Sequence, residues 1–200
     1  MRCLMSVLSL FVLAALARGD DPAKDPPKKD AGPLELKIVL KKTEYKFDSG
    51  GKTPAEYRKM LEQMREEIKE GKFRGRAPNP PAIEGVLQIT NTGKSEWVAF
   101  VGGDANTLTL NLKGPGVIDL SPQLAFTADF RLSKEVRLEA GKSHEIPLKQ
   151  LSDGFRSASR YVYWTAPGEY TLTASYQLAN PEGAKGQLLT SPAVKLKVVE

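Results

Sequence analysis

The sequence predicts a mainly β fold, a two-sheet antiparallel sandwich carrying one inserted amphipathic helix. Three observations support this. Apolar and polar residues alternate through many short segments, the period of a half-buried strand. Turns rich in Gly and Pro separate those segments. One stretch, residues 53–71, switches to helical spacing.

Before the domain, Met1-Arg2-Cys3 carries one positive charge, Leu4 to Ala17 is an apolar run broken only by Ser6 and Ser9, and Ala15-Leu16-Ala17 is a small-x-small site. Residues 1–17 therefore read as a cleavable secretory signal. The run is fourteen residues, where a spanning helix needs about 20. A retained anchor is the alternative. The only cysteine, Cys3, precedes the apolar run, whereas a lipid anchor requires one just after it. Residues 18–33 follow as a flexible tether: DDPAKDPPKKDAGP holds four prolines, mixed charge and only Ala as an apolar side chain, too little to offset ordering entropy. The chain is thus expected to be exported, to the periplasm, cell surface or medium, and not to span the membrane once the signal is removed.

A single domain is expected over 34–200. Leu34, Leu36, Ile38 and Leu40 alternate with Glu35, Lys37 and Lys41, and Tyr45 and Phe47 continue after a polar break. Thr53-Pro54-Ala55-Glu56 is a capping box with proline at the first helical position. Tyr57, Met60, Leu61, Met64 and Ile68 then recur at helical spacing until Gly71, giving a helix over about 54–70. Ala77-Pro78-Asn79-Pro80-Pro81-Ala82 is a stiff connector back to strands expected around Leu87 and Ile89, at Trp97 to Val101, at Leu108 to Leu112, and at Leu124 to Leu132. Asn91-Thr92-Gly93, Gly102-Gly103-Asp104 and Gly114-Pro115-Gly116 supply the turns. Tyr170, Leu172, Ala174, Tyr176 and Leu178 alternate with Thr171, Thr173, Ser175 and Gln177, the pattern of a sheet with one wet face. After a loop from Asn180 to Gly186, Val194, Leu196 and Val198 form a last strand, expected to pair with the preceding one as a hairpin.

With the signal removed no cysteine remains, so disulfides and thiolate chemistry are excluded and burial must hold the domain. Losing Arg2 leaves 28 basic against 24 acidic residues. The small excess and the export signal argue against a nucleic-acid partner. The modest cluster Lys69, Lys72, Arg74, Arg76 reads as a solvated loop, with contact to an acidic polymer or anionic surface as the other reading.

His144 is the only histidine. Ser143 beside it suggests a hydrolase with Asp153 or Asp129 as orienting acid, but adjacent strand residues point to opposite faces and cannot easily pair as nucleophile and base. One histidine and no mature cysteine leave no zinc, copper or haem site of usual composition. Asp104, Asn106, Asp119 and Asp153 do not form a calcium loop. No cofactor or metal is expected. Tyr161 and Tyr163 share one strand face, with Val162 and Trp164 on the other. Trp164 is assigned to the core, leaving Tyr161 and Tyr163, with Trp97, as candidate platforms for a sugar ring. Tyr57, Met60 and Met64 on the helix are expected to be core, with a partner-docking face as the alternative.

Leu138-Glu139-Ala140-Gly141-Lys142-Ser143 with Ile146-Pro147-Leu148, and Ala166-Pro167-Gly168-Glu169-Tyr170-Thr171-Leu172, resemble immunoglobulin-like and fibronectin-type-III-like bacterial domains. Together with Leu87-Gln88-Ile89-Thr90-Asn91-Thr92-Gly93, they are similar to the bacterial intracellular proteinase inhibitor family from about Pro81 onward. The tether, sandwich and Pro-rich insertion are also similar to exported proteins of environmental bacteria with large genomes. The resemblance implies an immunoglobulin-like sandwich with Tyr170 as a corner tyrosine tying a loop to the sheet. The expectation is a non-catalytic exported interaction or accessory module with an unidentified protein or polysaccharide as partner. Carbohydrate binding and proteinase inhibition are the alternatives.

Overall fold

The computed structural model describes residues 32–122, 130–154 and 159–200. The expected signal, nearly all of the tether, Asp129 and the strand expected from Leu124 to Ala128 lie outside the described residues. The fold is mainly β, a sandwich with one helix among the described residues.

One layer is a three-stranded antiparallel sheet of β1 (Leu34–Leu40), β3 (Ala82–Asn91) and β8 (Ser143–Gln150), in the order β1-β3-β8. β8 is an edge, and it carries Pro147, which has no N–H to donate and is tolerated at such a position. The other layer is organised around β11 (Gly168–Ala179), twelve residues long. On one edge β11 pairs with β5 (Thr107–Lys113) and, at Ala179, with β4 (Trp97–Val101). On the other it pairs with β12 (Lys185–Thr190) and β13 (Val194–Val199). β2 (Glu44–Lys46) adds to β13 in parallel, and β7 (Lys134–Leu138) adds to β4.

The alternation read from sequence places Leu36, Ile38, Leu87 and Ile89 of the first layer in one buried cluster with Leu110, Tyr170, Leu172, Trp164 and Leu196. Thr171, Thr173 and Ser175 occupy the other face of β11 and are less buried. The last hairpin differs from expectation. β13 does pair with β11, but only along Gly168 to Leu172; the intervening segment is itself a strand, β12, paired with Ser175 to Ala179. Ser191 marks the switch: its N–H donates to Ala174 O (2.8 Å) and its hydroxyl accepts from Ala174 N–H (2.9 Å). A long strand can hold two short ones end to end on one edge when a side chain replaces the missing backbone partner.

Phe130 and Leu132, expected to end a half-buried strand, lie outside any strand and are 70% and 74% exposed. Their prospective partner β4 stops at Val101, opposite Lys134, and the chain turns at Gly102, whose φ is 77°. Among the described residues no strand therefore faces Phe130 and Leu132.

A small third sheet, β6 (Ile118–Leu120), β10 (Arg160–Tyr163) and β9 (Ser152–Asp153), lies under helix α1 (Pro54–Lys69). The capping box forms as predicted: Glu56 N–H donates to Thr53 Oγ1 (3.3 Å) and Thr53 N–H to Glu56 Oε2 (2.9 Å). Tyr57 and Leu61 are buried in a second apolar cluster with Ala77, Ile118, Leu120 and Tyr163. Among the described residues no helix is long and apolar enough to cross a membrane.

Candidate functional site

The helix ends at Glu70, whose N–H donates to Glu66 O, and Gly71 takes the positive φ of 68° that turns the chain away. Lys72 and Phe73 N–H both donate to Glu67 O, and Arg74 Nη1 donates to Gly71 O (2.9 Å) and Phe73 O (3.2 Å). This loop is thus folded back on the helix end. It closes onto the small sheet through Ala77, which is buried, and through Pro78 O, which accepts from the Tyr163 hydroxyl (2.7 Å).

Between this loop and the sheet lies a cleft of about 490 Å³, in the range of small-molecule sites. Ile68, Ala77 and Pro122 supply apolar wall, Phe73 and Tyr161 aromatic rings, and Arg74, Arg76 and Asn79 polar groups. Among the described residues no carboxylate lines it.

Electrostatics separates the four cations of this region. Lys69 pairs with Glu66 (2.8 Å) and Lys72 with Glu70 (2.7 Å). Arg74 and Arg76 have no carboxylate partner among the described residues, and these two line the cleft. The positive charge of the cluster is therefore left uncompensated on the cleft side.

A second cleft, about 340 Å³, is bordered by Lys42, Lys46, Asp48, Tyr57 and Trp164. Its charges are mixed.

Of the three aromatic candidates, Tyr161 is the one that lines either of these two clefts. Tyr161 and Tyr163 do share a face, opposite Leu120 and Ile118 of β6. Tyr163, however, is 0% exposed. α1 covers that face, while the opposite face, with Val162 and Trp164, belongs to the main core, so β10 is buried on both sides. The roof thins towards the C-terminal end of α1, where Tyr161 remains half-buried. Trp97 is 38% exposed on β4, away from the cleft lining, beside Gly32. The helix stripe packs on its own sheet: Tyr57 is buried, against Phe47 among others, and Met60 and Met64 are half-buried on the same cluster. That burial leaves Tyr57 little surface outside its own cluster and the border of the second cleft.

The reactive residue types have other partners. Ser143 Oγ lies 2.8 Å from Thr90 Oγ1, and His144 sits opposite Ile89 on β8. Asp153 is buried in a two-pronged ion pair with Arg160, Oδ1 to Nε at 3.0 Å and Oδ2 to Nη2 at 2.6 Å, and also accepts the Leu110 N–H. The hydrogen bond to Asp153 holds the Arg160 guanidinium above its ordinary pKa.

Sequence reasoning found Arg74, Arg76 and Tyr161 but did not connect them, and it missed Phe73, Asn79 and Pro122. The available signal was Phe73 interleaved among Lys72, Arg74 and Arg76. No protein family, curated protein or solved structure matches this chain.

Proposed function

We propose that the domain is a non-catalytic, exported, immunoglobulin-like binding module, and that its recognition element is the cleft between the end of α1 and Tyr161. The observation that carries this reading is the convergence there of two aromatic rings and two arginines without carboxylate partners among the described residues. Non-catalytic action is supported by the engagement of Ser143 with Thr90 and of Asp153 with Arg160. The immunoglobulin-like reading is supported by Tyr170, whose hydroxyl lies 2.7 Å from Ala166 O, four residues upstream.

Binding of the intact chain to a panel of neutral and acidic oligosaccharides and of peptides, followed by NMR, tests the proposal. The expected result is binding that Tyr161→Ala weakens, with every bound oligomer recovered unchanged in mass. Conversion of a bound oligomer would end the non-catalytic reading. Binding indifferent to Tyr161→Ala would move recognition elsewhere, and no binding across the panel would remove the proposal.

A further inference from the structure

We infer that the cleft recognises a carboxylate-bearing sugar unit, as found in an acidic polysaccharide. This rests on the binding-module reading and adds the ligand's chemistry to it. An Arg guanidinium presents a planar fork of donors that matches a carboxylate, and does so best where no protein carboxylate competes. Among the described residues Arg74 and Arg76 meet that condition, whereas Lys69 and Lys72 are already paired. One nitrogen of Arg74 is held on Gly71 O and Phe73 O, which orders its side chain before any ligand arrives.

Phe73 and Tyr161 contribute flat apolar surface beside those charges, and Asn79 adds an amide that both donates and accepts. A ligand matching all of these has an apolar ring face, hydroxyls and a carboxylate, which describes a uronic acid residue. A bare phosphate or sulfate would use the arginines and leave the aromatic wall unused. A neutral sugar would use the wall and leave the arginines unused. The arginines are exposed, so salt will weaken binding.

The test is affinity electrophoresis of the intact chain in gels containing polygalacturonate, its fully methyl-esterified form, dextran or dextran sulfate. Retardation is expected in polygalacturonate, lowered about tenfold by Arg76→Ala and by Tyr161→Ala, as the loss of one charge-assisted contact predicts. The lysine variant Lys69→Gln/Lys72→Gln, made together with Glu66→Gln and Glu70→Gln so that both ion pairs go and the net charge is kept, is expected to stay within about twofold of the unaltered chain. Arg74→Lys, which keeps the charge but loses the fork, should weaken retardation in polygalacturonate. Arg76 makes no hydrogen bond or ion pair among the described residues, so its loss does not threaten folding.

Equal retardation by dextran sulfate, or an equal effect of the lysine variant, would reduce the cleft to general anion attraction and overturn the inference. Equal retardation by the methyl ester or by dextran, still lost in Tyr161→Ala, would overturn the carboxylate assignment while leaving the binding module standing. No retardation in any gel would overturn the inference, and the peptide arm of the preceding experiment would then decide whether the module reading survives.

Discussion

The Tyr170 hydroxyl lies 2.6 Å from Pro115 O as well as 2.7 Å from Ala166 O, so one side chain ties the turn after β5 to the segment that enters β11. The turn is shaped around it. A Cβ on Gly114, whose φ is 156°, would come within 2.3 Å of the Tyr170 ring, and one on Gly116, at φ 64°, within 2.2 Å of Thr165 Oγ1. Tyr170→Phe removes the donor and strands two carbonyls, and is expected to lower stability by about 1–2 kcal/mol. An unchanged urea midpoint would show that the tie is dispensable. Asp153→Ala leaves Arg160 without its partner and the Leu110 N–H without an acceptor, and should cost about 3 kcal/mol in the same measurement. Five tyrosines, Tyr45, Tyr57, Tyr163, Tyr170 and Tyr176, have their pKa values raised, each chiefly by burial. The unfolded chain then loses phenolic protons first as pH rises through about 10, so their contribution is intact below that pH and is lost above it. Stability is expected to fall through the alkaline range, with tyrosinate absorbance rising together with the loss of folded CD signal. Absorbance rising by more than one tyrosine of the six while the fold persists would contradict this.

At the scale of elements, α1 was legible because its signals are local: the Thr53 cap, Pro54 at the first helical position and the Tyr57-Leu61 stripe lie within a few turns of one another. Thr53→Ala is expected to cost about 1 kcal/mol. Leu61→Ala, at a site with 0% exposure, should cost about 3 kcal/mol. Hydrogen exchange at β6 and β10 should accelerate in the second variant more than at β3; uniform acceleration would mean that the helix is not a local roof. β12 was not legible. Lys185 to Thr190 offers little alternation, with Leu188 exposed and Leu189 buried, and its place follows from the unpaired half of β11. Phe130 to Leu132, expected to end a strand, lie outside one for the complementary reason: alternation is present, but beyond Lys134 there is no edge of β4 to receive them.

Among the described residues there are two apolar clusters, the sandwich core and the smaller one under α1, and Phe47 packs against both. Unfolding is expected to be one transition, with Trp164 fluorescence in the first cluster and far-UV CD changing together. Phe47→Ala should separate the two curves. If they already separate in the unaltered chain, the helix-covered sheet is an independent unit. Period-two alternation, the cap and the glycine turns were enough to predict a mainly β chain with one helix, because each depends on neighbours along the backbone. The burial of Tyr163 and the cleft at Tyr161 were not accessible that way. Both follow from where α1 comes to rest on the small sheet, chiefly against β6 about fifty residues further along the chain, a contact that no local pattern encodes. The same placement distinguishes Arg74 and Arg76, which line the cleft, from Lys69 and Lys72, which are neutralised on the helix end.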